Sequence, residues 1–241
     1  MDSNLYRYNR VYPYKYNIVK ISNDHQIINA SWINLPFDKN FIATQGPKDY
    51  TIEDFWQMCF EYNVKVIVML CNLIEDGKEK CSAYWEIKNP KNFRIMNLNI
   101  LEENEYYVKK EITVEKLNEQ KPRTFSHIHY KKWPDKKAPN FENIVHIFEN
   151  FFIFIKQRKE KGPAVIHCSA GIGRTGVFLT LYILYEEIMH NINSSSFESL
   201  TFNIFNLVRK LKELRLYSVE NLDQYNFIYY FIDELLKEKN K

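Results

Sequence analysis

Apolar and polar positions change period several times along the chain, and each change marks an element. Residues 5–14 are aromatic and basic without a regular period, and Pro13, which lacks an N–H and has a fixed φ, excludes a helix there. Short runs at 18–21, 27–33 and 41–44 read as strands, the last running into Gly46-Pro47. A helix is expected from Thr51 to about Tyr62, with Thr51-x-x-Asp54 in capping-box form. Residues 66–70 are a continuous apolar run of strand length, the pattern of a central strand covered on both faces. The charged stretch 75–80 reads as a loop, and 83–87 reads as strand-like.

Three further strand patterns, at 94–100, 105–114 and 124–130, predict an antiparallel meander. Residues 131–140 hold Trp133-Pro134-Asp135 and Pro139 and must be a loop. The next helix is expected from near Asn140, with Ile144, Phe148, Phe151, Phe152 and Ile155 on one stripe, and it stops at Gly162-Pro163. A buried strand follows, then a tight glycine-containing loop, then residues 177–189, which are apolar nearly all round and predict a buried central helix. Residues 191–196 break it, and helices are expected at 202–215 and 222–236. Helices before and after mixed strands predict an α/β (α+β) fold built on a highly twisted mixed central sheet. There is no internal repeat and no Gly/Ser/Pro-rich linker, so residues 1–241 are expected to form one domain.

Composition narrows the function. The net charge of +3 is too mild for a general nucleic-acid role, and no nucleic-acid partner is expected. Four cysteines without CxxC or zinc spacing read as reduced thiols, not as a disulfide frame or a metal site. Residues 64–70 are far too short to span a bilayer and include Lys65, and no signal peptide is recognised, so a cytoplasmic monomer is expected. The surplus of Asn, Lys, Ile, Tyr and Phe suggests AT-rich coding and points to a virus or parasite, in which case the compartment is the host's cytoplasm.

The chemistry concentrates in residues 165–176, Val-Ile-His-Cys-Ser-Ala-Gly-Ile-Gly-Arg-Thr-Gly. Cys168 and Arg174 bracket Ser169, Ala170, Gly171, Ile172 and Gly173, whose amides can turn inward at the start of a helix. Backbone N–H groups, helix dipole and guanidinium together favour a bound phosphate. The same field stabilises a thiolate: a cysteine of pKa ~8.5 falls to roughly 3.5–7.5 at a helix N-terminus beside cations. A phosphate site with a nucleophile at its floor suits a phosphatase that works through a phosphocysteine. No metal or cofactor is called for, since the amides and Arg174 supply the neutralising charge.

The segment from His167 to Gly176 matches in full the signature of the cysteine-dependent protein tyrosine phosphatases. Asn29-Ala30-Ser31, residues 43–47, Asp54-Phe55-Trp56, residues 66–70, Gly77 with Lys80-Cys81, Tyr84-Trp85, Trp133-Pro134-Asp135 and Gln224-Tyr225 resemble successive blocks of its tyrosine-specific branch. The resemblance implies roles. Cys168 is the nucleophile, Arg174 binds two equatorial phosphate oxygens, and Thr175 donates its hydroxyl to the sulfur. Asp135, on a mobile loop with Trp133 and Pro134, is general acid and then general base. Glu75 orients Arg174, Lys80 pairs with the acid loop, and His167 is a hydrogen-bonding neighbour of the nucleophile. Tyr8 walls a pocket deep enough for phosphotyrosine, and Gln224 helps place water. The implied partners are phosphotyrosine-containing proteins.

Three departures stand beside these matches. Arg10 occupies the usual place of an aspartate that clamps the substrate backbone. Lys136 follows Asp135 where an aromatic is common. Val219-Glu220-Asn221 replaces Val-Gln-Thr, so Glu220 stands where a water-positioning glutamine is expected, which predicts a slowed second step. Two other readings stay open: a phosphotyrosine-trapping module with slow turnover, and a phosphatase of phosphoinositides or RNA 5′-phosphates.

Overall fold

The computed structural model describes residues 5–22, 26–35, 38–87, 91–117, 119, 121–139, 143–158, 162–192 and 201–239. Its centre is an eight-stranded mixed sheet. In chain order the strands are β1 (Ile18–Lys20), β2 (Ile27–Leu35), β3 (Asp38–Thr44), β4 (Val66–Met69), β7 (Phe93–Glu103), β8 (Tyr107–Lys116), β9 (Arg123–Tyr130) and β10 (Ala164–His167). The short pair β5 (Ile74–Glu75) and β6 (Lys78–Glu79) forms a separate hairpin. Across the large sheet the order is β1-β2-β3-β10-β4-β9-β8-β7. The meander expected at 93–130 is present as antiparallel β7-β8-β9.

The four middle strands, β3, β10, β4 and β9, run parallel. The register pairs Ala164 with Phe41 and with Val66, so the strands finish level, at Thr44, His167, Met69 and near Tyr130. The carboxyl ends of parallel strands are where α/β sheets place their ligands, because the connections leaving them can converge. Gln45, Cys168, Leu70 and the 131–139 loop all leave from this one edge. Every residue of β4 and β10 is buried, as expected for a central strand covered on both faces.

Five helices are described: α1 (Ile52–Glu61), α2 (Ile144–Arg158), α3 (Gly173–Asn191), α4 (Ile204–Leu214) and α5 (Leu222–Lys239). Helix α3 is buried from Gly173 through Tyr185 and packs against α2, α4 and α5. The α2 stripe closes that core, with Ile144, Phe148, Phe151, Phe152 and Ile155 all fully buried. Phe148 touches Phe178, Phe231 and Trp133 with ring centroids 5.3, 6.0 and 5.7 Å apart, so truncating it to alanine should cost about 3–5 kcal/mol. The expected helix start near Asn140 and most of the break at 191–196 lie outside the described residues.

Three local expectations are corrected. Thr51 does not cap α1 with its side chain; its Oγ1 accepts the Lys48 N–H at 2.9 Å and closes a 3-10 turn over Asp49–Thr51 instead. Residues 75–80 are not a loop throughout, because Asp76 and Gly77 both take positive φ (48° and 70°) and turn β5 into β6. Asp-Gly is the favoured pair for a two-residue turn of this hand. Residues 83–87 are not a strand: Tyr84 N–H and Glu86 N–H bond back to Ser82 O and Ala83 O in successive turns.

Candidate active site

Cys168 follows the last residue of β10, and the chain then curls before α3. Gly171 makes the curl possible. Its φ is +69°, and a Cβ there would lie 2.1 Å from Thr44 O, so only glycine fits. The Gly171 N–H points at Cys168 Sγ at 3.3 Å. Helix α3 begins at Gly173 with no side-chain cap and no acidic residue in its first turn, which leaves its N-terminal amides to the loop side.

Arg174 is almost fully buried and tightly specified. Its Nη1 donates to Leu70 O (3.0 Å) and Glu75 Oε1 (2.6 Å), and its Nη2 donates to Glu75 Oε2 (2.5 Å) and Asp135 Oδ1 (2.8 Å). The fork on Glu75 is bidentate, the geometry in which a guanidinium is held most rigidly. Burial opposes the charge on Arg174, but the Glu75 hydrogen bonds outweigh it and the pKa is raised. The β5–β6 hairpin is what brings Glu75 there, and the Asn72 N–H holds Glu75 Oε1 at 2.9 Å.

Asp135 closes the other side. Its Oδ2 accepts from Lys80 Nζ at 2.5 Å while Oδ1 sits on Arg174. Partial burial works against ionisation, but the hydrogen bonds from Lys80 and Arg174 prevail and hold its carboxyl below the usual aspartate value. The same pairing raises Lys80 despite its burial. Trp133 anchors the loop, buried against Phe148 and Phe227, with Nε1 donating to Lys137 O at 2.9 Å.

Tyr8 stands at the cavity wall, its hydroxyl 2.9 Å from Ser169 Oγ, which in turn donates to Lys80 O. Arg7 fixes the register of the aromatic N-terminal stretch: its N–H donates to Gln45 Oε1 (2.9 Å), its Nε to Gly46 O (3.1 Å) and its Nη2 to Pro47 O (2.7 Å). The resulting cavity, about 630 Å³, is lined by Tyr8, Cys168, Arg174, Asp135, Glu220 and Gln224, with Ser169, Ala170, Ile172 and Gly173 on its floor. The three departures, Arg10, Lys136 and Glu220, all line it. Gln224 packs on Gly173, and its Oε1 accepts the Glu220 N–H at 2.8 Å.

Thr175 departs from expectation. Its hydroxyl is fully buried and makes no hydrogen bond, so donation to the Cys168 sulfur is not formed. His167, Trp133 and Pro134 do not line the cavity; Trp133 and Pro134 line a neighbouring one behind the acid loop.

Two supports of the loop go beyond what the sequence foresaw, which was His167 alone. Arg215, fully buried, donates Nε to Gly171 O (2.5 Å) and Nη2 to Ala170 O (3.1 Å), and its remaining donors reach Ser31 Oγ and Asn29 Oδ1. Burial pushes its pKa down to about 10. Behind Cys168 runs a buried relay. His167 Nδ1 donates to Cys168 O (3.2 Å), which leaves its Nε2 to accept from Tyr84 OH (2.9 Å). Tyr84 oxygen then accepts from His127 Nε2 (2.6 Å), and His127 Nδ1 is left unprotonated and without a partner. Burial lowers both imidazoles, His167 to about 3, so both are neutral. Among the described residues no group of three or more His, Cys, Asp or Glu side chains could hold a metal, and no helix is long and apolar enough to cross a membrane.

A cysteine, a locked guanidinium and a carboxylate thus converge on one glycine-turned loop at a helix start. The protein-tyrosine phosphatase family model matches residues 2–234, and the chain belongs to that family. Tyrosine-protein phosphatase non-receptor type 20 of Rattus norvegicus is 32% identical over 238 residues, covering 96% of this chain and 54% of the relative. Tyrosine-protein phosphatase 2 of Dictyostelium discoideum is 35% identical over 221 residues, covering 89% of this chain and 57% of the relative. The chain thus spans about half the length of the curated relatives it matches. Among solved structures, PTPN18 in complex with HER2 phosphopeptides is similar, with a TM-score of 0.79 and 29% identity, over 96% of this chain and 81% of that one.

Proposed function

We propose that this chain hydrolyses phosphotyrosine in proteins through a phosphocysteine. The observation that carries the reading is the convergence of Cys168, the Glu75-locked Arg174 and Asp135 on one cavity. In the first step Cys168 sulfur attacks phosphorus in line, forming an S–P bond as the P–O bond to the tyrosine breaks. Asp135, protonated, gives its proton to the departing phenolate oxygen. Charge spreading over the equatorial oxygens meets Arg174 and the loop amides. In the second step water attacks phosphorus, Asp135 takes a proton from it, and the S–P bond breaks to return thiolate and inorganic phosphate. Tyr8 on the wall suits a flat aromatic ring and supports phosphotyrosine over phosphoinositides. PTPN18, a fold neighbour bound to phosphopeptides, supports the same substrate class.

The unbroken family match supports one domain, and relatives of the non-receptor type support action in the cytoplasm. Glu220, whose Oε2 would lie 3.1 Å from a Cβ on Gly173, favours slow hydrolysis of the phosphocysteine and so a degree of substrate trapping. Turnover of a phosphotyrosine peptide, measured beside a phosphoserine peptide and inositol phosphates, tests the reading. Phosphate release from the first alone, abolished by Cys168→Ser, is the expected result; retention of turnover in Cys168→Ser overturns it.

A further inference from the structure

Asn221 bonds in two directions. Its Oδ1 accepts the Gln224 N–H at 3.0 Å and its own carbonyl accepts the Tyr225 N–H at 3.1 Å, the pattern of a residue capping α5. With the oxygen so committed, the amide nitrogen must face the other way, and it donates to Lys136 O at 2.8 Å. Lys136 immediately follows Asp135, and it is held in the left-handed region at φ +57°, a conformation that a lysine adopts only where its surroundings impose it. Asn221 immediately follows Glu220, which lines the same cavity as Asp135 and Lys136. One side-chain amide therefore ties the backbone of the acid loop to the helix start beside the cavity.

We infer that Asn221 is a positioning residue that latches the acid loop, setting Asp135 over the cradle for proton delivery; the catalytic part of this inference rests on the function proposed above. The argument is one of geometry. Asp135 is held at its carboxylate by Lys80 and Arg174, but both contacts are to charge, and a phosphate competes for Arg174. The bond from Asn221 reaches the peptide carbonyl instead, so it survives when the carboxylate is protonated or loses Arg174. A threonine, usual here in the resembling family, keeps an acceptor for the cap but has no amide N–H₂ to span to Lys136.

Asn221→Asp and Asn221→Thr separate the latch from the cap. Both retain an oxygen for the Gln224 N–H, and aspartate, isosteric, sets an acceptor against the Lys136 carbonyl. Losing one such hydrogen bond is expected to lower kcat/KM for phosphotyrosine peptide by about 3- to 10-fold. The loss should shrink to nothing for an aryl phosphate whose phenol is acidic enough to leave unprotonated, and it should add nothing in an Asp135→Ala background. A loss equal across leaving groups, or none, overturns the inference. Amide hydrogen exchange over residues 133–137 reads the latch without catalysis. Faster exchange there in both variants supports it, and unchanged exchange overturns it, even if the wild-type chain turned over no phosphopeptide and the functional reading itself failed.

Discussion

Asp135 Oδ1 lies 2.8 Å from Arg174 Nη2, so the proposed proton donor rests as an anion on the cation that must receive the phosphate. The two demands are resolved by the ligand. A phosphate dianion that takes the Arg174 N–H groups removes a hydrogen bond that holds the Asp135 pKa down and adds negative charge beside it, which pushes the pKa up. Binding therefore favours the protonated form of Asp135. Binding of sulfate, which stays dianionic, should draw protons onto the protein on the acid side of neutrality, seen as a dependence of calorimetric heat on the buffer's ionisation enthalpy. Asp135→Asn should abolish the uptake.

The same shift sets an acid limit on the free protein. Its folded pKa is depressed, so Asp135 contributes stability that is fully present above its unfolded value and is lost as pH falls through the folded one. Asp135→Ala should keep phosphopeptide binding and lose turnover by roughly 10²–10⁴-fold, the usual worth of a general acid. A variant turning over at the wild-type rate removes Asp135 from the mechanism.

Under the proposed chemistry, Glu220 should set the pace of the second step. Its carboxylate shares the surface of Gly173 with the Gln224 amide, in the cavity that Cys168 also lines. A second anion there repels the phosphocysteine and orients water poorly. Stopped-flow measurements with an aryl phosphate should show a burst of phenol followed by slow turnover. Glu220→Gln should shrink the burst and raise kcat; a wild-type trace with no burst refutes the idea.

Much of this site was legible in the chain. Residues 165–176 announce a strand, a glycine-dependent curl and a helix start, and backbone amides at such a place do the same thing in any fold. The roles of Glu75 and Lys80 came from family resemblance alone, although Asp76-Gly77 carried the hairpin signal that a reading of charge passed over. Residues 83–87 read as a strand because Tyr84 and Trp85 are aromatics held inward, Tyr84 in the relay and Trp85 against His127 and His129. Arg215 was illegible for a physical reason: a basic residue closing an amphipathic helix reads as solvated, and nothing local tells that four acceptors from the loop and β2 await it. The idle hydroxyl of Thr175 depends on side-chain rotation, which no pattern encodes.

The rim of the cavity is cationic. Among the described residues, Arg10, Lys78 and Lys136 line it without a salt-bridge partner, whereas Arg7 is paired with Glu79. Peptides with acidic residues beside the phosphotyrosine should therefore show higher kcat/KM, on the order of 2- to 10-fold, and the advantage should fall as salt screens the rim. Arg10→Asp should reverse the preference. Equal rates for acidic and basic peptides at low salt would show that the rim does not read charge.

Lys110, on β8, is the buried cation that the chemistry leaves unused. Its ammonium sits 3.4 Å above the centre of the Trp85 ring, among neutral His127 and His129, with Glu86 and Glu103 giving partial relief. Burial outweighs that relief and brings the pKa down to about 8 from the ordinary 10.5. Here the unfolded chain binds the proton more tightly than the folded one, so stability must rise with pH between those values and stay at its lower level below pH 8. The full effect is on the order of 3 kcal/mol at most. Lys110→Met, which keeps the stem's packing without the charge, should flatten this rise in urea unfolding and raise stability at pH 7. Parallel pH profiles for wild type and variant would mean that the folded protein holds the ammonium at no cost.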